Sequence, residues 1–282
     1  ISACLVGSEM CIRDRYTNRG GMYLKITQEA EKVVDGLCLM DDTLFRVVAQ
    51  DKGFCEEVLR VILQKEDLEV ITVQVQKDLH HIHSHSVVLD VLCKDSHNKN
   101  YNIEVQQEDN DDHQRRVRYH AASVDTTMLE KGKKYADLPD LCVVYISSFD
   151  IFKKGKTTYH VDRTLRETKD VVDNGLYEVY VNTQIDDSSS TAGLMKVFKS
   201  TKPVQDERFQ RVCEKLKEYK EGKGRSTMCK LVEDYANKKA KETQEETARR
   251  AFAMGLPIES VEQLVKLSTK ELKRIAAEVD IA

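Results

Sequence analysis

Two short segments carry acidic and amide side chains at spacings that can do chemistry. One is Asp90 in Val87-Val88-Leu89-Asp90-Val91-Leu92-Cys93; the other is Glu104 with Gln106 in Tyr101-Asn102-Ile103-Glu104-Val105-Gln106. Both are rich in β-branched or aromatic residues, as strands are, and the polar run Lys94–Asn100 between them suits a hairpin loop. On a strand, residues two apart share a face, so Glu104 and Gln106 project together while Ile103 and Val105 face the opposite, core side. If the strands pair around His97, Asp90 falls directly across from Glu104, with Cβ atoms about 4.5–5.5 Å apart. Carboxylates that close repel, and one must hold its proton unless a divalent cation lies between them. Hard oxygen donors on a partly open site favour Mg²⁺ or Mn²⁺, which retain water ligands and acidify them. An Asp between Leu89 and Val91 points the same way, because an unpaired buried carboxylate is costly. The bland alternative is that both acids line the solvent face of an amphipathic hairpin.

The elements that must position this hairpin are legible from periodicity. Helical spacing runs from Thr27, a candidate N-cap, to Gly36. Asp42 can cap a second helix with the stripe Leu44, Phe45, Val47 and Val48, and a third carries Phe54, Val58, Leu59, Ile62 and Leu63. Residues 70–76 alternate apolar and polar, which predicts a half-buried strand ahead of the two strands at 86–93 and 101–107. A helix over 112–131 follows, then strands at 141–149 and 176–181. From about residue 190 onward the pattern is helical and charged. It ends in a helix-turn-helix-like pair in which Pro257 opens one helix and Ser268 caps the next.

Three further constellations have two readings each. Arg115, Arg116, Arg118 and Tyr119 follow the hairpin in a window, 113–134, that holds six basic residues against Asp125 and Glu130. They form either a phosphate-contacting helix or a solvated helix face. His80, His81, His83 and His85 are dense enough to bind Zn²⁺ or Ni²⁺ but lack an evident fourth ligand, and a connecting loop is the plainer reading. The terminal helix pair carries Lys270, Lys273 and Arg274, which suits DNA reading, but also Glu259, Glu262, Glu271 and Glu278, which suit self-association into a homo-oligomer.

Composition narrows the class. The chain has 282 residues, 40% hydrophobic and 33% charged, with 3 Pro and 12 Gly, which excludes collagen-like and low-complexity architectures. No apolar run approaches the roughly 18–20 residues of a spanning helix, so no membrane partner is expected. Eight Cys without a C-x-x-C pair read as reduced thiols of a cytoplasmic protein. The net charge of -4 excludes a protein that coats nucleic acid non-specifically. It leaves a DNA-cutting protein open, because the acids include those proposed to take up a dication. Residues 1–21 resemble translated sequencing-adapter read-through, which makes Met22 the expected start.

Taken together in order and spacing, Asp42-Thr43-Leu44-Phe45, Leu89-Asp90-Val91-Leu92, Tyr101 to Gln106 and Arg116-Val117-Arg118-Tyr119 resemble the PD-(D/E)XK nuclease family transposases over roughly residues 38–235. The resemblance implies an α/β, restriction-endonuclease-like mixed sheet flanked by helices over residues 22–200, with an all-helical extension over 201–282. It implies a bacterial, Mg²⁺- or Mn²⁺-dependent endonuclease that hydrolyses DNA phosphodiesters in recombination or mobile elements. Asp90 and Glu104 would hold the metal, with the Val105 carbonyl a third ligand. Asp42 would be an acid that helps position the metal, unless it is a plain N-cap. Gln106 stands where the wider superfamily has Lys; a neutral amide can orient water and phosphate but cannot serve as a cation. The runner-up reading is a nuclease fold that binds DNA or protein without cutting.

Overall fold

The computed structural model describes residues 19–79 and 87–280. The elements are α1 (Arg19–Gly36), α2 (Asp42–Val48), α3 (Lys52–Leu63), β1 (Val70–Leu79), β2 (Val87–Asp95), β3 (Asn100–Gln106), α4 (His113–Met128), β4 (Leu141–Ser147), β5 (Thr158–Val161), β6 (Leu176–Asn182), α5 (Ser190–Lys199), α6 (Gln210–Lys220), α7 (Arg225–Ala253), α8 (Ile258–Leu264) and α9 (Thr269–Asp280). The strands form one mixed sheet of order β1-β2-β3-β4-β6-β5. β1, β2 and β3 form an antiparallel meander, β3, β4 and β6 run parallel, and β5 returns antiparallel to β6. A mixed sheet flanked by helices, with further helices toward the C-terminus, is the expected fold class.

Both faces of the sheet are covered. On one, Val117, Ala121 and Val124 of α4 join Leu92, Val143, Tyr145 and Tyr180 in a single apolar cluster. The opposite-parity residues Ile103, Val144, Ile146 and Val181 are buried as fully, so a central strand reads as continuously apolar rather than alternating. α2 packs on β2 and β3, and α3 on β1. Phe45 of α2, Phe54 of α3 and Phe198 of α5 meet in a fully buried trio with centroids 6.1–6.3 Å apart.

Several expectations are corrected. Among the described residues α1 runs Arg19–Gly36, so Thr27 is interior rather than its cap. Asp41, in extended conformation, occupies the N-cap of α2 and turns its carboxylate back to the Cys38 N–H at 2.6 Å; Asp42 is already helical, so its plain-cap reading fails. The four-residue β5 was not expected, being too short for periodicity to mark. The compact unit that carries the sheet spans Asp35–Arg225, with α6 packed on α2 and α3. The His80–His85 cluster lies outside the described residues.

Among the described residues the second compact unit groups residues 226–280 with residues 19–34. In it Ala248, Ala251, Val261, Val265, Leu272 and Ile275 bury one another. Ser268 and Glu271 close a reciprocal capping box at the start of α9: the Ser268 N–H donates to Glu271 Oε2 at 3.0 Å, and the Glu271 N–H to Ser268 Oγ at 3.3 Å. Arg274 is ion-paired to Glu278 and Glu245, so one of the three basic residues read on this helix is already neutralised.

Phe54→Ala removes one ring of the aromatic trio and leaves a cavity between α2, α3 and α5. The expected loss is about 3–5 kcal/mol of unfolding free energy, read as a lower urea midpoint with an unchanged m-value.

Candidate metal and phosphate site

β2 and β3 pair as Val91↔Ile103, Leu92↔Asn102, Cys93↔Tyr101 and Lys94↔Asn100. This is the register centred on His97, and its next step sets Asp90 opposite Glu104. The ladder stops there, and the carboxylates take the place of main-chain carbonyls. The Asp90 N–H donates to Glu104 Oε1 at 3.3 Å, and the Val105 N–H donates to Asp90 Oδ2 at 3.1 Å. Asp90 is 6% and Glu104 2% exposed, so the reading of two ordinary solvent-face acids fails.

Burial, and next the Glu104 charge, push the Asp90 carboxyl up to about 7; the Val105 N–H and Arg46 oppose the shift. Arg46, one turn beyond Asp42 on α2, donates from Nη2 to Asp90 Oδ1 at 3.1 Å, and its Nε lies 2.5 Å from Asp42 Oδ1. Burial raises Asp42 as well, with Arg46 acting against it, Glu104 adding to it and Arg116 acting against it. Asp42 therefore belongs to the same electrostatic group as Asp90 and Glu104, linked to Asp90 through one guanidinium.

From the other side α4 contributes His120 and Arg116, four residues apart and so on one helix face. His120 Nδ1 is 3.3 Å from Glu104 Oε1 without hydrogen-bond alignment. Arg116 Nη1 donates to Gln106 Oε1 at 3.2 Å, and Gln106 Nε2 donates to the Glu108 carbonyl at 2.8 Å. The predicted basic cluster is thus divided. Arg116 enters the site. Arg115, Arg118 and Tyr119 lie on the exposed helix face, with Arg115 3.2 Å from Asp112. Arg46 and His120 were not picked out from sequence, although each stands at helical i+4 from a residue that was.

Two buried carboxylates with hard oxygens suit a divalent cation. The Val105 N–H points toward Asp90, so its carbonyl, on the same side of the extended strand, does too. Asn102, on the Glu104 face, has neither amide atom hydrogen-bonded, and neither is His120 Nδ1. Such groups can accept or donate to the water ligands that Mg²⁺ retains. Among the described residues no group of three or more His, Cys, Asp or Glu is placed to hold a metal ion, so around the Asp90–Glu104 pair main-chain oxygen and water would have to complete the coordination.

Residues 44–185, about half the chain, match the family described as PD-(D/E)XK nuclease family transposase. This chain belongs to that family. The match contains Asp90, Glu104, Gln106 and Arg116, and Asp42 lies two residues before it. No curated protein and no solved structure matches the chain. Membership in the PD-(D/E)XK nuclease family transposases makes nuclease-type function, and with it a DNA substrate, the family-level statement for this protein, and nucleases of this kind generally use divalent metal ions. Among the described residues no helix is long and apolar enough to cross a membrane.

The folded chain holds the Asp90 proton to higher pH than the unfolded chain, whose carboxyl has the ordinary value of 3.8. Stability from this proton is complete below about pH 4 and is lost as pH rises toward 7. Asp90→Asn removes that loss. In EDTA the variant is expected to be more stable than the parent by about 1–3 kcal/mol at pH 8, with the gap closing near pH 4. Urea titrations at the two pH values decide it, and a gap of equal size at both would be inconsistent with a buried, charge-crowded Asp90.

Proposed function

We propose that the protein is a divalent-metal-dependent DNA endonuclease whose metal ligands are Asp90, Glu104 and the Val105 carbonyl. The observation that carries this reading is the buried Asp90–Glu104 pair, placed at the carboxyl end of β3 and beside a basic helix. A bound Mg²⁺ or Mn²⁺ supplies Lewis acidity at a phosphate oxygen and acidifies a water for attack on phosphorus.

The chain's own residues do the rest. Asp90 is held by the Val105 N–H and Arg46, and Glu104 by the Asp90 N–H, so both carboxylates keep their place without substrate. Arg46 also joins Asp42 to the pair, which makes Asp42 a positioning acid. Gln106 cannot carry the positive charge that a lysine would bring to its position. Arg116, hydrogen-bonded to the Gln106 amide oxygen and felt electrostatically at Asp42 and Tyr145, brings a guanidinium there from the neighbouring helix. It can meet a phosphoryl oxygen with paired N–H donors as negative charge develops, while Gln106 fixes its direction.

Supercoiled plasmid incubated with the protein and Mg²⁺ or Mn²⁺ tests the reading. Nicked or linear product is expected, and Asp90→Ala or Glu104→Ala should slow it by on the order of 10²–10³-fold, the loss of several kcal/mol of transition-state stabilisation. No cleavage by the parent, or cleavage indifferent to both substitutions, would sink the catalytic claim. Arg116→Gln is expected to lower the single-turnover rate by about 10²-fold with a smaller effect on DNA affinity, as for loss of one charge-stabilising donor. A neutral Gln106 is the one observation that favours a second reading, a nuclease fold that binds DNA without cutting; metal-independent binding that survives Asp90→Ala, with no cleavage, would select it.

A further inference from the structure

A second feature shares the sheet edge with Glu104 and Gln106. β4 ends at Ser147, level with Gln106, and the Ser148 N–H donates to the Gln106 carbonyl at 2.9 Å. The chain turns through residues 148–157 and re-enters the sheet at Thr158, which pairs with Val181 at the same end of β6. The whole connection therefore lies at the edge that holds the carboxylates. It abuts the first turn of α4, since the Phe149 ring sits 4.8 Å from that of His113.

Between Ile151 and Val161 there are three lysines, Lys153, Lys154 and Lys156, and no acid. All three are exposed, and none makes an ion pair within the described residues. The backbone beneath them is tightly held. Asp150, 7% exposed, accepts the N–H of Phe152 at 3.2 Å, Lys153 at 3.0 Å and Gly155 at 2.9 Å. The Tyr159 hydroxyl, bonded to Asp150 at 2.8 Å, accepts the N–H of Lys154 at 3.2 Å and Lys156 at 3.1 Å. Lys153 and Gly155 take positive φ of 55° and 70°, which makes the tip compact. Main-chain donors are thus consumed inside the turn, and ammonium groups are what it offers outward.

Lys153 is five residues from Ser148, at most about 18 Å of chain, which keeps the turn within about five base-pair rises of the strand end. The neighbouring β3–α4 connection carries Glu108, Asp109, Asp111 and Asp112, of which Asp109 meets His113 and Asp112 meets Arg115. Along this edge an acidic stretch suits a cation, and the next connection presents a basic stretch.

We propose that the Lys153–Lys156 turn is a phosphate clamp that grips the DNA backbone beside the bond presented to Asp90 and Glu104. This rests on the nuclease reading and adds the residues that would hold the flanking strand. Lysines are point-charge donors, so the clamp contributes affinity and placement and no base readout.

The test uses the full chain with Ca²⁺ and a labelled duplex, with anisotropy read across a salt series. In the parent, log K should fall with log salt. The triple variant Lys153→Gln, Lys154→Gln, Lys156→Gln should reduce that slope by about 2–3, because each phosphate contact contributes about 0.9. The matching Lys→Arg triple should retain it. Exposed lysines leave folding intact, which matched melting curves verify. A Gln triple that binds with the parental slope overturns the clamp while plasmid cleavage by the parent leaves the nuclease reading standing. Loss of slope in a protein that never cleaves supports the clamp and removes the nuclease reading. A parent with no salt-dependent DNA binding overturns the clamp directly.

Discussion

The forced proximity of Asp90 and Glu104 governs the organisation around it. Two carboxylates buried face to face are unfavourable by both desolvation and repulsion, and each surrounding group answers one of these terms. The Asp90 and Val105 N–H groups, which a continuing ladder would give to carbonyls, go to carboxylates instead. Arg46 supplies charge to Asp90 from α2, and His120 faces Glu104 from α4. The parting of β2 and β3 at this point is therefore the means by which the pair is solvated by the protein. The compensation is partial, as the raised Asp90 carboxyl shows, and partial compensation is what leaves room for a cation.

The same constraint explains the electrostatics at larger scale. A net charge of -4 describes a chain poorly suited to DNA, yet the acids at the carboxyl ends of β3 and β4 are concentrated around the pair and the β3–α4 connection. Basic groups are set beside them: Arg116 within the site, Arg115 and Arg118 on the outer face of α4, and the lysine turn after β4. Parallel strands β3, β4 and β6 make this possible, since they bring successive loops to one edge, where side chains from distant stretches of the sequence can act together.

Much of this was legible from residue types. The four ordered motifs, the alternation that pairs Glu104 with Gln106 and the hairpin centred on His97 all follow from local patterns and are found in the fold. What local patterns missed had physical reasons. β5 has four residues and pairs only at long range. Asp41 rather than Asp42 occupies the N-cap, its carboxylate accepting the Cys38 N–H of the preceding turn, a contact with no periodic signature. The basic run 115–119 reads as one cluster in sequence, but a helix turns about 100° per residue, so Arg116 reaches Gln106 while Arg115, Arg118 and Tyr119 face outward.

By itself, then, the sequence determined the family, the facing carboxylates and the presence of a neutral amide where a cation is expected, because these depend on residue type and on strand periodicity alone. Only the tertiary structure decided that the pair is buried, that Arg46 and His120 answer it, and that Arg116 brings a guanidinium to Gln106. Those facts depend on how two helices distant in sequence dock against one strand end, and side-chain contact between separate elements leaves no mark in the spacing of either.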